Sequence, residues 1–202
     1  MMRWIYWYGW MTLGAAFRSV FGLRIINGEK IVHDGAVLVA SNHQSFLDPP
    51  LIGNLYRTEM HYLARKTLFV GFFAWLYPRW NAIPVDQDRP DMASLKTIIR
   101  LLKAGERVLV FPEGERTLDG ELGKTQPGIG LIAVKSVAVI QPVRIRGARE
   151  ALPRGSGRLR FARISVTVGD AIRLTPEELA AAQGKEGYKL IADRIMAAIE
   201  AL

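Results

Sequence analysis

Cysteine is missing from all 202 residues. That excludes a disulfide framework, a thiolate metal site and any acyl-cysteine intermediate, and it fits a reducing cytoplasm. Acids are scarce, with 19 Asp and Glu against 27 Lys and Arg and a net charge of +8. Such an imbalance implies an anionic partner: a nucleic acid, an anionic membrane surface or a phosphorylated substrate. No glycine pattern of a dinucleotide or Walker phosphate loop occurs. Gly155-Ser156-Gly157 lacks the Gly-x-Ser-x-Gly strand-to-helix context of a hydrolase nucleophile and reads as a basic turn. Linkers and internal repeats are absent too. So is a long hydrophobic run: the apolar stretch before Arg18 makes a helix of only about 21 Å, against roughly 30 Å of bilayer hydrocarbon.

What that first stretch does have is aromatic residues. Trp4, Tyr6, Trp7, Tyr8 and Trp10 crowd into one turn after another, followed by Phe17 and Arg18. Indole and phenol rings this dense favour the headgroup level of a membrane. Residues 1–22 therefore read as an interfacial helix, aromatic side down, with Arg3 and Arg18 toward phosphates. The competing reading is a helix that packs on the protein's own core.

From residue 23 to 202, short apolar runs alternate with helical patterns, which predicts one α/β domain with a mixed, largely parallel sheet flanked by helices. Expected strands include 36–40, 61–64, 80–85, 107–111, 139–145 and an alternating run from Arg158 to Val168. A very apolar helix is expected from Leu68 to Tyr77, ended by Pro78. Thr175-Pro176-Glu177-Glu178 carries the signature of a capped helix start.

Two polar turns follow strands, and in α/β proteins that edge of the sheet carries chemistry. The first is Asn42-His43-Gln44-Ser45-Phe46-Leu47-Asp48. The path can fold back so that Asp48 accepts a hydrogen bond from the His43 ring and leaves the other nitrogen as a base. Asp48 before Pro49 also looks like an ordinary helix cap. The second turn is Phe111-Pro112-Glu113-Gly114-Glu115-Arg116-Thr117, a glycine-flexed loop whose guanidinium suits a phosphate. His33 and His61 have no acid at useful spacing and read as structural.

Together the two turns resemble the glycerolipid acyltransferase family, specifically its 1-acylglycerol-3-phosphate (lysophosphatidate) O-acyltransferases. That family's pattern is a His, four residues and an Asp, followed further along by Phe-Pro-Glu-Gly-x-Arg-Ser/Thr. Gln141-Pro142-Val143-Arg144-Ile145 is similar to its apolar-Pro-apolar block, and the likeness spans roughly residues 24 to 170. It implies that His43, oriented by Asp48, deprotonates the sn-2 hydroxyl of 1-acylglycerol 3-phosphate, which attacks the thioester of acyl-CoA or acyl-carrier protein to give phosphatidate. No cofactor, no metal and no acyl-enzyme are implied; Ser45 sits too close to His43 to serve as a nucleophile. Arg116, supported by Arg89 and Lys124, is expected to bind the acceptor's phosphate. Glu113, Gly114 and Thr117 are expected to brace the loop or contact the acceptor. Two positions depart from the pattern: Gln87 stands where an arginine is usual, and Glu115 where threonine is usual. The implied setting is phospholipid biosynthesis on the cytoplasmic face of the membrane, peripheral or monotopic through the first helix.

Other classes explain less. An acyltransferase acting on another lysolipid or lipid hydroxyl fits all of the motifs. A non-catalytic anionic-lipid-binding protein leaves His43 and Asp48 without purpose. A phospholipase needs an activated water or serine. A nucleic-acid binder shows no recognised motif and leaves the aromatic helix unexplained.

Overall fold

The structure, a computed structural model, describes residues 4–86 and 92–202. The positions of Arg3, Gln87 and Arg89 lie outside the described residues. The chain forms α1 (Trp4–Val20), β1 (Arg24–Ile26), β2 (Val37–Ser41), α2 (Asp48–Gly53), β3 (His61–Arg65), α3 (Phe72–Arg79), β4 (Ala82–Val85), α4 (Met92–Lys103) and β5 (Arg107–Val110). Then come α5 (Gly128–Ser136), β6 (Val139–Arg146), α6 (Ala148–Ala151), β7 (Ser165–Val168), α7 (Pro176–Ala181) and α8 (Gly184–Glu200).

Seven strands form one sheet in the order β1-β7-β6-β2-β5-β3-β4. All neighbours are parallel except β6 and β7. β2 lies at the centre, and all five of its residues are buried, as a strand covered on both faces requires. Its side chains alternate. Leu38 and Ala40 point into the core under α4, α5 and α8; Val37 and Val39 point into the opposite core, with Phe17 of α1 and Leu51 of α2. β5 alternates likewise, with Val108 and Val110 in the first core and Leu109 in the second. The sequence placed this alternating α/β layout correctly, and the Thr175 capping box is present with both of its hydrogen bonds.

Three local expectations are corrected. Strand β7 begins at Ser165, not Arg158, because its register with β6 ends at Arg146↔Ser165, where β6 gives way to α6. Upstream residues find no ladder, Gly155 and Gly157 turn the chain at positive φ, and Phe161 is left exposed. The apolar segment around residue 70 starts as a turn, and its helix runs only from Phe72 to Arg79, with Pro78 inside the last turn rather than ending it. Pro78 has no N–H to offer the Ala74 carbonyl, and the helix is closed instead by Trp80 N–H, which donates to the Leu76 and Tyr77 carbonyls. Finally, the residue before α2 is Leu47; Asp48 is the first helical residue, and its side chain caps nothing in the helix.

Helix α1 divides into two stripes. Tyr6, Gly9, Gly14 and Phe17 are buried against the domain, while Trp4, Trp7, Tyr8 and Met11 are exposed, at the i, i+3, i+4, i+7 spacing of one helical face. Trp10 Nε1 donates to the Gly53 and Tyr56 carbonyls, at 3.2 and 2.9 Å, tying α1 to the end of α2 and the turn after it. A Cβ at Gly14 would lie 2.1 Å from Asn54 Oδ1, so only glycine admits this approach. The packing reading therefore holds for one face of the helix, and the other face exposes aromatic side chains. No helix among the described residues is long and apolar enough to cross a membrane.

Candidate active site

Register brings the two polar turns together. Ala40 of β2 is level with Val110 of β5, so His43 and Glu113, each three residues further on, emerge side by side at the carboxyl edge. The turns are then tied by backbone. His43 N–H donates to Glu113 Oε1 at 2.8 Å, Gly123 N–H donates to Glu113 Oε2 at 3.0 Å, and Thr117 N–H donates to the His43 carbonyl at 2.9 Å. Glu113 therefore uses both carboxylate oxygens to brace the turn. Burial raises its pKa above the usual range, against the lowering effect of the N–H groups of His43 and Gly123. Gly114 turns the chain at φ +79°, a region that side chains disfavour. Its N–H closes a tight turn on the Phe111 carbonyl.

Asp48 is fully buried, and one of its oxygens does all the work. Oδ2 accepts from His43 Nδ1 at 2.8 Å, Gln44 N at 2.6 Å and Ser45 N at 2.7 Å. Oδ1 accepts nothing among the described residues. The carboxylate thus folds the turn and orients the ring, and does not cap the helix. Bonded at Nδ1, the imidazole presents Nε2 as its free nitrogen. The ring is stacked on Phe111, with centroids 3.8 Å apart and 8° between planes, so its position is fixed from two directions. The Ser45 hydroxyl donates to the Leu152 carbonyl at 3.0 Å.

The ring lines the mouth of a cavity of about 270 Å³. Beside it Arg116 lies flat on Phe46, its guanidinium carbon 3.7 Å from the ring centroid. Burial is the main influence lowering the Arg116 pKa, followed by the positive charge of Arg154; Arg65 adds to it and Asp48 opposes it. Much of its lining is apolar, with Tyr6, Trp10 and Leu13 of α1 and Leu68, Tyr77 and Trp80 from the α3 region. Tyr6 and Tyr62 hydroxyls meet there at 2.7 Å. Burial raises both pKa values, which keeps the pair neutral.

Of the residues singled out by sequence, His43, Asp48, Glu113, Gly114, Arg116 and Thr117 come together at this edge. Lys124 is exposed and is not part of the cavity lining. Sequence reasoning missed three others. Arg65 ends β3, level by register with the β5 turn, and lines the mouth with Arg154. Asn42 is buried and pairs with both backbone groups of Ile145, at 2.9 and 2.7 Å, extending the β2–β6 ladder one residue beyond the strand. A basic residue at the end of an expected strand was a signal for Arg65. Nothing local marked Arg154, which reaches the site through a long loop.

Residues 22–146 match the family described as Acyltransferase. The chain belongs to this acyltransferase family. Among similar proteins, a 1-acyl-sn-glycerol-3-phosphate acyltransferase of Bacillus subtilis is 36% identical over 101 residues, covering 48% of this chain and 49% of that protein. The protein of the same name from Pseudomonas aeruginosa is 28% identical over 173 residues, covering 83% of this chain and 65% of its own length. The chain thus spans less than two thirds of either relative. A crystal structure of the 1-acyl-sn-glycerophosphate acyltransferase of Thermotoga maritima shares the acyltransferase fold, with a TM-score of 0.76 at 23% identity, covering 97% of this chain and 80% of that one.

Proposed function

We propose that this protein moves a fatty acyl group from a thioester, acyl-CoA or acyl-carrier protein, to the sn-2 hydroxyl of 1-acylglycerol 3-phosphate. The observation that carries the reading is the 2.8 Å bond between His43 Nδ1 and a fully buried Asp48, at the mouth of a cavity shared with Arg116. His43 Nε2 takes the hydroxyl proton as the oxygen attacks the thioester carbonyl. The C–S bond then breaks, and the imidazolium returns its proton to the leaving sulfur. Asp48 stabilises the imidazolium formed in between, and general-base catalysis of this kind is typically worth about 10² to 10⁴ in rate. Arg116 holds the acceptor's phosphate near the His43 turn, the polar shelf of the site, while the largely apolar cavity takes an acyl chain. A labelled acyl donor offered with a panel of lysolipids tests this. Thiol release that depends on lysophosphatidate is expected; release without any lysolipid would make the protein a hydrolase and refute the reading.

The same reading places the molecule on the cytoplasmic face of a membrane. It is supported by the exposed aromatic stripe of α1, by exposed Phe72, Phe73 and Trp75 on α3 and by the net charge of +8. Attraction to an anionic surface is worth about 1 kcal/mol per Lys or Arg held near it and weakens as salt rises. Flotation with anionic and neutral vesicles should show stronger, salt-sensitive binding to the anionic ones. Equal binding to both would defeat the electrostatic part.

A further inference from the structure

Three guanidinium groups meet at the cavity mouth, carried by Arg65, Arg116 and Arg154. Two of them have an evident place: Arg65 ends a strand, and Arg116 lies on Phe46. Arg154 comes from the loop between α6 and β7, which is anchored at this edge where the Leu152 carbonyl accepts the Ser45 hydroxyl. Its Nη1 donates to the Arg116 carbonyl at 2.6 Å, and its Nη2 faces Glu115 Oε2 at 3.5 Å. The second contact is long, since charge-assisted bonds between such groups run to about 2.7–2.9 Å. Glu115 is also largely exposed, its side chain at 71%. Glu115 therefore engages Arg154 only loosely.

We propose that Arg154 is a binding and specificity residue for the acceptor's phosphate, and that Glu115 occupies it until the phosphate arrives. A phosphate monoester carries up to two charges and three acceptor oxygens, enough to take the Arg154 N–H groups that the Arg116 carbonyl and one distant carboxylate oxygen do not fill. Binding then exchanges the Arg154–Glu115 contact for an Arg154–phosphate pair, while the bond to the Arg116 carbonyl keeps both arginines aimed at one anion. Glu115, which departs from the family pattern, becomes the competitor that sets how strongly phosphate-bearing acceptors are preferred. The inference rests on the reading above that the acceptor bears a phosphate.

Inorganic phosphate and glycerol 3-phosphate are the probes, with binding measured by calorimetry independently of turnover. Arg154→Gln is expected to weaken their binding about tenfold or more, the loss of one charge-assisted arm, and Glu115→Gln to strengthen it several-fold. In parallel, the kcat/KM ratio between lysophosphatidate and a phosphate-free monoacylglycerol should fall about tenfold in Arg154→Gln and rise in Glu115→Gln. Arg154→Lys, which keeps the charge without the fork, should lie between. If Arg154 only tethers the Arg116 carbonyl, Arg154→Gln lowers kcat for both acceptors together and leaves their ratio and phosphate binding unchanged, which overturns the proposal. A wild-type protein that binds neither probe overturns it as well. Phosphate binding that follows the expected order, in a protein that nonetheless does not acylate lysophosphatidate, upholds the role of Arg154 and refutes the acceptor reading instead.

Discussion

The two halves of the site are built in opposite ways. The His43 shelf is polar and tied by backbone bonds, and its parts come from turns at the same level of adjacent parallel strands. The cavity beside it is largely apolar, and most of its walls come from α1 and the α3 region, which lie outside the sheet, with β3, the neighbour of β5, closing one side. On the shelf, hydrogen bonds fix groups to a few tenths of an ångström, as proton transfer demands. In the cavity, glycines decide how closely walls approach, as at Gly53, where a Cβ would lie 2.2 Å from the Tyr62 hydroxyl. The polar groups are thus anchored to the sheet, while the apolar walls depend on helix packing. Substitutions in the two regions should separate rate from chain preference.

The largest effect is expected on the shelf. His43→Ala should keep the fold and lower acyl transfer by about 10² to 10⁴, since it removes the base. Asp48→Asn is the sharper probe, because an amide oxygen can take over the bonds from Gln44 N, Ser45 N and His43 while the charge that stabilises an imidazolium is lost. A comparable drop in kcat, with an unchanged melting temperature, is the expected result. Near-normal turnover in pure Asp48→Asn would mean that the carboxylate only folds the turn.

Next comes Glu113. Its ionised form accepts two N–H bonds, and a proton would turn one acceptor into a donor facing a donor. Because burial raises its pKa, that proton arrives at a higher pH than for an exposed glutamate, so activity should fall early on the acid side. Stability runs the other way. A carboxyl with a raised folded-state pKa binds its proton more tightly folded than unfolded, so its contribution to stability declines as pH rises from the usual range through the raised value. The melting-temperature difference between wild type and Glu113→Gln should therefore grow as pH falls through that window while the activity difference shrinks. Parallel movement of the two would contradict the brace.

The smallest effect on rate is expected in the cavity. Gly53→Ala must displace the Tyr62 hydroxyl and with it the Tyr6 contact, costing about 1–3 kcal/mol of stability as overpacking does. Competition between acyl donors of different length should show the preference shifting toward shorter chains, with the best donor still transferred within about tenfold of wild type. If all lengths slow equally, the cavity does not hold the acyl chain.

How much of this was legible differs between the two regions for a physical reason. Strand alternation is a period-2 signal, and both turns follow such strands, so local patterns put His43 and Asp48 at the sheet's edge, while the roles of Glu113 and Arg116 in the same site came from the family resemblance. Asn42 sat within the same motif, yet its role needed the neighbouring strand, because its partner is Ile145 backbone. The length of β7 was misread because alternation marks a surface that fits a sheet, whereas a strand also needs partner backbone, and β6 ends at Arg146. Lys124 was expected to support Arg116 at the phosphate, but its loop leaves it exposed and outside the cavity lining.

Sequence by itself determined the alternating α/β pattern, the buried run at 36–40 and a turn in which Asp48 can fold back on His43, since these depend on neighbours a few residues apart. Tertiary structure alone decided that α1 walls a cavity with one face and exposes aromatics on the other, and that Arg65 and Arg154 join Arg116. Those contacts link residues separated by tens of positions in the chain, and only strand register and helix packing bring them within hydrogen-bonding reach.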